Sequence, residues 1–230
     1  MKAILISDHA KWCALMMNGK KNIEVRKGTA LYKATKKLIN EYGYADFYVY
    51  CTKDKLSLAE YLYKDGWGYN AVLNYDYAKS IGCAKEKLNG KVLFKFRCYK
   101  VEEIEHSHSH FYLCGIEIEK NEYRGLVTKY SCLNYDELHN YLKGKNGCAI
   151  HISELEIFDK PKELSEFHNA FKYKRVERKF GNNNIEKDER TGGIRQPVKG
   201  GYEYIYPLTK APQSFCYIEV LEWKNLSLSK

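Results

Sequence analysis

The sequence lacks the features that most directly assign a chain to a membrane, to a disulfide-rich secreted class or to a common nucleotide-binding family. It has no run approaching about 20 apolar residues and no C-x-x-C pair among its eight dispersed cysteines. Its first residues lack the apolar core and the cleavage site of a signal peptide. No G-x-S-x-G, P-loop or G-x-G-x-x-G motif is present. We therefore expect a cytoplasmic protein with reduced thiols and no membrane partner.

The composition is that of a globular protein with a moderate excess of positive charge. Hydrophobic residues make up 44% and charged residues 29% of the 230 residues, which favours a single domain over 1–230. The 38 Lys and Arg against 29 Asp and Glu leave a net charge of +9, which attracts polyanions such as nucleic acid. The same excess also keeps an ordinary protein soluble, so both interpretations stay open. The 21 tyrosines provide rings that can stack on bases as well as pack.

The N-terminal part shows a succession of strand and helix patterns. Ala3–Ser7 is a short apolar strand, and Asp8 offers an N-cap side chain for a helix over Lys11–Met17. Polar and apolar residues alternate over Lys21–Lys27, which is the pattern of a half-buried strand. Thr29–Tyr42 has the pattern of a basic helix.

Later segments add strands that are separated by single short helices. Because no regular strand–helix–strand spacing appears, the pattern indicates an α+β fold with a mixed β-barrel and not a doubly wound sheet. Residues 66–87 give no clear pattern. The further predicted elements are a strand over Asp46–Cys51, a helix over Lys55–Tyr63, a long hairpin of Lys91–Ile104 with Phe111–Ile118, a helix capped by Ser131 or Asn134 and running through Tyr141, a strand over Cys148–Phe158, a helical turn over Pro161–Phe167, and closing strands over Tyr202–Tyr206 and Ser214–Leu221.

A basic insertion over residues 168–201 interrupts the pattern near the C-terminus. Apolar residues thin out and paired glycines recur, and nine basic residues against four acidic ones give this segment a charge of +5. We expect a mobile flap that adds affinity for phosphates without sequence specificity, or alternatively a solvated loop with no binding role. The residues predicted to bind nucleic acid are Lys174, Arg175, Arg178 and Lys179.

The densest candidate site lies near the N-terminus. His9-x-x-Trp12 precedes the segment Gly19-Lys-Lys-Asn-Ile-Glu-Val-Arg26. Glu24 and Arg26 are two residues apart and hence share a strand face, where a carboxylate can accept from a base edge and a guanidinium can hold phosphate. Lys21 is out of phase, and we expect the turn at Gly19 to bring its ammonium to the mouth of a cleft. A surface cluster of little energetic value is the alternative. The candidate ligand-binding residues are His9, Trp12, Lys21, Glu24 and Arg26.

The pattern G-x-K-x-x-E-x-R after a short helix that carries a tryptophan resembles the ASCH domain family, a branch of the PUA-like superfamily. The segments 161–165 (PKELS) and 211–217 (APQSFCY) also look like those of small phage and bacterial ASCH-like proteins. The resemblance implies a PUA-like β-barrel with short flanking helices and a cleft that binds RNA or a nucleotide. It covers roughly the first third and the end of the chain.

The resemblance leaves open whether the protein is an enzyme. Some ASCH-like amidohydrolases act on acetylated cytidine with a Lys-activated Thr nucleophile, and the position that we align with this Thr is Glu24, which cannot serve as a hydroxyl nucleophile. Another branch is thought to cleave RNA, for which Glu24, Lys21 and Arg26 could supply a base and cationic stabilisation. If the protein is an enzyme, its predicted catalytic residues are Lys21 and Glu24. A third hypothesis is a phage-encoded inhibitor that binds a host protein or sequesters a nucleotide signal, with the basic insertion as the contact.

Histidines outside this motif suggest no cofactor. The run His106-Ser-His-Ser-His110 would place three imidazoles on one strand face, but it falls where a hairpin should turn, so we favour a solvated turn over a metal site. His151 lies between two isoleucines and is interpreted as structural, although proximity to the closing strands could bring it to the cleft. We predict neither a metal nor another cofactor.

Overall fold

A computed structural model of the protein describes residues 2–53, 55, 58, 88–118, 126–169, 187–188, 193–198 and 201–219. Four α-helices and fourteen strands are defined within these residues, and the fold is mixed α+β. The helices are α1 (Ala10–Met17), α2 (Thr29–Tyr42), α3 (Leu126–Ser131) and α4 (Tyr135–Leu142), with a 3₁₀ turn at Leu164–Glu166. The strands are β1 (Lys2–Asp8), β2 (Ile23–Lys27), β3 (Ala45–Cys51), β4 (Val92–Cys98), β5 (Val101–Ser107), β6 (His110–Leu113), β7 (Ile116–Glu117), β8 (Gly147–His151), β9 (Ser153–Lys162), β10 (His168–Asn169), β11 (Lys187–Asp188), β12 (Gly193–Val198), β13 (Gly201–Ile205) and β14 (Phe215–Glu219).

Three open sheets contain these strands. The largest has the order β10-β14-β1-β3-β4-β9, the second has the order β2-β8-β5-β6-β7, and the third has the order β11-β12-β13. Strands β1 and β3 are parallel, whereas β3 with β4 and β2 with β8 are antiparallel. Within the described residues no sheet closes into a barrel. The predicted α+β class is thus confirmed at the level of mixed helices and sheets.

The core forms because the central strands of the first sheet are apolar on both faces. Every residue of β3 is buried, as expected for a strand that is covered on two sides. Phe47 of β3 stacks on Phe96 of β4 at 4.9 Å between ring centroids. A second cluster lies against the five-stranded sheet and contains Ile104, Phe111 and Leu138. None of the helices in the described part of the chain is long and apolar enough to cross a membrane.

Two segments that were predicted as single strands are each divided between two sheets. The alternation over Lys91–Ile104 breaks at Tyr99 and Lys100, so that β4 belongs to the first sheet and β5 to the second. The hairpin with the following strand therefore uses only β5 and β6. Cys148–Phe158 likewise divides at Ile152 into β8 and β9. Alternation indicates which residues face the core, but it does not show whether the chain changes sheet.

Helices α1, α2 and α4 follow their sequence signals except at one cap, whereas α3 (Leu126–Ser131) was not predicted. Helix α2 has its predicted bounds, and Asn134, not Ser131, caps α4. The Asn134 side chain accepts a hydrogen bond from the Glu137 amide at 2.8 Å, and the Glu137 carboxylate accepts one from the Asn134 amide at 2.9 Å. The prediction that Asp8 caps α1 is wrong, because Asp8 ends β1 and His9 is the N-cap residue. The helix predicted over Lys55–Tyr63 lies outside the described residues apart from two positions.

The basic insertion is described only in part. Lys174, Arg175, Arg178 and Lys179, predicted to bind nucleic acid, lie outside the described residues. The described portion is not irregular, since β11, β12 and β13 pair as an antiparallel sheet. Two basic residues of the insertion, Lys187 and Arg195, therefore lie on regular strands, β11 and β12.

Candidate functional site

A cleft of about 710 Å³ opens where the end of β1, the start of α1, strand β2 and the end of α4 meet. Its floor is polar, and its walls carry Trp12 and Tyr141. The segment before β14 closes one side, where the Ser7 hydroxyl donates to the Pro212 carbonyl at 2.7 Å. The lining residues are Ser7, Asp8, His9, Trp12, Lys21, Glu24, Val25, Arg26, Thr52, Leu133, Glu137, Asn140, Tyr141, Ala211, Pro212 and Gln213.

Main-chain hydrogen bonds set the course of the chain around this cleft. Gly19 has a φ of +68°, which lets the chain turn after α1, and the Lys20 and Lys21 amides both donate to the Leu15 carbonyl at 3.0 Å. The Asn22 amide then donates to the Tyr130 carbonyl at 2.8 Å. This junction holds Lys21 beneath the cleft and starts β2 in the register that directs Glu24 toward the same place.

A chain of four alternating charges forms the floor. Lys21 Nζ lies 3.2 Å from Glu24 Oε2, Glu24 Oε1 lies 2.6 Å from Arg26 Nε, and Arg26 Nη2 lies 3.2 Å from Asp8 Oδ2. All four residues are buried, with exposed fractions of 2% for Lys21, 4% for Glu24, 8% for Arg26 and 6% for Asp8. Removing four charges from water costs several kcal/mol per ion unless they compensate one another. The alternation of sign supplies that compensation.

Main-chain groups complete the coordination of this floor. Lys21 donates to the Ser131 carbonyl at 2.8 Å, and Arg26 Nη2 donates to the Ser7 carbonyl at 2.9 Å. Asp8 Oδ1 accepts from the His9 amide at 3.0 Å. Asp8 Oδ2 has no hydrogen bond of acceptable geometry within the described residues, although Arg26 is at ion-pair distance. Charge, and not a directional hydrogen bond, therefore holds this oxygen.

Asp8 is the group of the floor that titrates near neutral pH. Burial, followed by repulsion from Glu24, raises the pKa of Asp8 from 3.8 to about 7, against the opposing effects of Arg26 and Lys21. Burial lowers the pKa of Arg26, but the Glu24 and Asp8 carboxylates outweigh that effect and raise it above its usual range. Arg26 thus stays charged, whereas Asp8 can gain or lose a proton as the contents of the cleft change.

The walls provide an aromatic face and several amide groups. Lys21 Nζ lies 5.1 Å from the centre of the Trp12 ring, within the range of a cation–π contact. Tyr141 is 41% exposed at the end of α4. Asn140 and Gln213 line the cleft with amides that can donate and accept hydrogen bonds. This combination suits a planar ring that carries polar edges.

The structure places the five predicted ligand-binding residues around one cleft. His9, Trp12, Lys21, Glu24 and Arg26 all line it, and Glu24 and Arg26 lie close together as their spacing predicts. One detail is wrong, because the Lys21 ammonium is buried and does not lie at the mouth. The turn at Gly19 draws Lys21 inward, where the Ser131 carbonyl and Glu24 receive it.

Asp8 and the residues of α4 were missed by the sequence interpretation. Asp8 carried a signal, since a carboxylate directly after an apolar strand also fits a site at the strand end, but the helix cap was the simpler explanation. Tyr141 and Asn140 carried no comparable signal. They are more than 100 residues from β2 in sequence and approach it only because α4 packs beside that strand.

The other histidines do not join the cleft lining. His106 lies on β5, His108 has a φ of 47° in the turn, and His110 on β6 pairs with Glu117 at 2.6 Å. The three imidazoles therefore do not share a strand face, and the described residues contain no group of three or more metal-ligating side chains. His151 Nε2 lies 2.5 Å from Glu102 on the second sheet and is not part of the cleft lining.

Glu102 is the centre of a separate surface cluster. Burial raises the pKa of Glu102, but hydrogen bonds from Lys100, Cys114 and His151 outweigh burial and lower it to about 2. The hydrogen bond between Cys114 and Glu102 raises the pKa of the Cys114 thiol, so this cysteine is not activated as a nucleophile. None of the seven cysteines in the described residues forms a disulfide.

No protein-family model matches the chain, and no curated protein matches its sequence. The resemblance to the ASCH family therefore rests on the residues of the motif and on the two later segments. Of these, Lys21, Glu24, Arg26 and the segment from Ala211 to Gln213 line the cleft. A cytoplasmic location stays a prediction.

Proposed function

We propose that the protein is an ASCH-like, PUA-like protein that binds RNA or a nucleotide in the cleft above Lys21, Glu24 and Arg26. The observation that carries the proposal is the buried chain of four charges beside an aromatic wall in an open cleft. Apolar residues would fill the same space at lower cost, because buried ion pairs often contribute no net stability. Four buried charges that nevertheless line an open cleft therefore indicate a binding site.

The floor and the walls match different parts of a nucleotide. The Arg26 guanidinium and the Lys21 ammonium can attract a phosphate, and Trp12 offers a face on which a base can stack. The Asn140 and Gln213 amides are suited to the donor and acceptor groups on a base edge. Since stacking on Trp12 and contacts of these amides with a base edge both require an unpaired base, single-stranded RNA or a free nucleotide is the ligand class that fits best.

The charge balance of the floor also bears on the ligand. With Asp8 ionised, two carboxylates offset two cations, and an incoming phosphate gains little. With Asp8 protonated, the floor has a net charge of +1, which favours an anion. The pKa of Asp8 near 7 allows a phosphate to bind together with one proton at neutral pH.

The PUA-like architecture is part of the proposal. The first and second sheets share two direct connections, between β4 and β5 and between β8 and β9, and the cleft lies where β1 of one sheet approaches β2 of the other. Sheets joined at such corners are compatible with the strongly bent β-structure of a barrel. The resemblance in the motif supports the same architecture.

RNA hydrolysis in the same cleft is the second candidate function, and Asp8 favours it. A general base for attack by a ribose 2′-hydroxyl needs a pKa near the working pH, which Asp8 meets. Asp8 would accept the proton of the 2′-hydroxyl as the 2′-oxygen attacks the phosphorus, and Arg26 and Lys21 would stabilise the negative charge of the phosphorane. The P–O5′ bond would then break, the proton would pass from Asp8 to the leaving 5′-oxygen, and a 2′,3′-cyclic phosphate would remain on the other fragment. Glu24, predicted as a catalytic residue, serves better here to hold both cations in place.

Titration with fluorescent ligands tests the binding proposal. Nucleoside monophosphates and a single-stranded RNA of about 12 nucleotides would be titrated at low salt against wild type, Trp12→Ala and Trp12→Phe. We expect Trp12→Ala to weaken binding about 10-fold and Trp12→Phe to retain most of it, because loss of base stacking costs about 1–3 kcal/mol. Tyr99→Ala is the control, since Tyr99 is 47% exposed and outside the cleft lining.

Absence of binding to every probe at low salt would contradict the proposal, as would equal losses in Trp12→Ala and Tyr99→Ala. The same RNA, followed by gel electrophoresis, tests the hydrolase. Asp8→Asn should abolish cleavage while the RNA still binds. Cleavage that persists in Asp8→Asn would exclude Asp8 as the base.

A further inference from the structure

Three lysines surround the end of α4 next to the cleft. Lys27 is the last residue of β2 and follows Arg26, and its Nζ lies 3.4 Å from the Tyr141 carbonyl. Lys143 and Lys145 follow α4 directly, after the residues that line the cleft. The Gly28 amide donates to the Asn146 carbonyl at 2.7 Å, which ties the two chain segments together. We name Lys27, Lys143 and Lys145 the lysine track.

The charges of the lysine track are close enough to repel one another. Desolvation and the positive charges of Lys145 and Lys143 lower the pKa of Lys27. Within the described residues no member of the track forms an ion pair, whereas Lys91, Lys95 and Lys100 each contact a glutamate. Unpaired cations that gather beside a cleft create a local positive potential.

The helix dipole of α4 explains why a lysine lies at its C-terminal end, but it does not explain why three lysines gather there. Lysines near the last carbonyls of a helix interact favourably with its dipole, which accounts for a position such as Lys143. That residue, however, has a φ of +50° in the left-handed region, where glycine or asparagine is less strained. The dipole also gives no reason for Lys27, on a different element, to join the other two.

We infer that the lysine track binds the backbone phosphates of single-stranded RNA that continues from the nucleotide held in the cleft. The inference rests on the proposed function, and it adds a direction in which the strand leaves the cleft. Tyr141 joins the two surfaces, because its side chain lines the cleft and its carbonyl contacts Lys27. Flexible lysines hold phosphates without reading sequence, so this surface adds affinity and leaves specificity to the cleft.

A salt titration with two triple variants tests the inference. The track variant combines K27Q, K143Q and K145Q, and the probes are nucleoside monophosphates and a single-stranded RNA of about 12 nucleotides. The control variant removes the same charge from exposed lysines of α2 that do not line the cleft. It combines K33Q, K36Q and K37Q.

The expected effect is confined to the longer probe. Loss of three phosphate contacts should reduce the slope of log affinity against log salt by about 2, at about 0.7 per contact on a single strand. Between about 50 and 200 mM salt, wild-type affinity for the RNA should then fall about 20-fold further than that of the track variant. Affinity for the monophosphates should stay unchanged in both variants.

Each alternative outcome shows whether the lysine track, the cleft proposal or both are wrong. If the RNA binds wild type but the two triple variants have equal slopes, the track is excluded and the cleft proposal stands. If the RNA binds through the track but no monophosphate binds, the cleft proposal fails and the track survives as an RNA surface. If no probe binds, both are wrong. Thermal denaturation of the variants checks that the fold is retained, and the single variants K143Q and K145Q, on exposed positions, give a second test.

Discussion

Replacement of Asp8 by asparagine is the sharpest perturbation that the structure offers. Asn keeps the size of the side chain and its acceptor for the His9 amide, but it cannot ionise. In the wild type the pKa of Asp8 is raised to about 7 in the folded state, mainly by burial, whereas an unfolded chain has its ordinary value near 3.8. The substitution therefore removes one proton-linked contribution to stability and leaves the rest of the floor in place.

The direction of the effect follows from which state binds more protons. Between about pH 5 and pH 8 the unfolded carboxyl is already ionised, whereas the folded one releases its proton within this range. The stabilising contribution of Asp8 is thus fully present below about pH 3.8, decreases while only the folded carboxyl holds its proton, and is lost once the pH has risen through about 7. One pKa unit corresponds to about 1.4 kcal/mol, so the wild type should lose about 3 kcal/mol relative to Asp8→Asn across this range.

Urea denaturation at a series of pH values measures this difference directly. As the pH rises, the free energy of unfolding of Asp8→Asn should increase relative to that of the wild type. Ser7→Ala is the matched control, because it removes the neighbouring hydrogen bond to Pro212 without a titrating group. Its gap from wild type should be constant. A gap for Asp8→Asn that is equally constant would refute the assignment of a buried, protonatable carboxyl to the cleft floor.

Three further substitutions probe how the site is held. Arg26→Met should lower the free energy of unfolding by about 3–5 kcal/mol, because it leaves two buried carboxylates without their shared cation. Arg97→Met, at a side chain that is 31% exposed, should lower it by about 1 kcal/mol or less. Equal losses of the two variants in urea denaturation would contradict this prediction. Gly147→Ala should destabilise the protein by about 1–3 kcal/mol, since the added Cβ would lie 2.7 Å from the Arg26 carbonyl oxygen and from Leu142 Cδ2. An unchanged melting temperature would show that β2 and α4 can move away from this Cβ without cost. Asn134→Ala should cost about 1 kcal/mol through loss of the capping box and Asn134→Asp should recover most of it, as measured by thermal denaturation, unless the cap contributes nothing.

Local patterns in the sequence were sufficient for much of the secondary structure. Helix α2 was predicted with its observed bounds, and in the structure Gly43 ends it in a left-handed conformation. The side-chain period of a strand is two, so the common direction of Glu24 and Arg26 also followed from their spacing. These properties depend on residues within a few positions of one another, and the sequence contains all of that information.

Long-range packing decided the rest. The division of Lys91–Ile104 and of Cys148–Phe158 between two sheets depends on which strands pair, and a local pattern does not specify a partner. The role of Asp8 arises because β1 ends beside β2, where burial and Glu24 raise its pKa. The burial of Lys21 likewise requires the Ser131 carbonyl, 110 residues away.

The sequence by itself thus determined part of the cleft lining, namely His9, Trp12, Lys21, Glu24 and Arg26, and it determined that Glu24 and Arg26 share a strand face. Only the tertiary structure decided that Asp8 joins Arg26, that Lys21 is buried, and that Tyr141 and the lysine track lie at its edge. The physical reason is that the energy of a charge depends on its desolvation and on its nearest opposite charge. Both quantities are set by neighbours in space, and here those neighbours come from elements that are far apart along the chain.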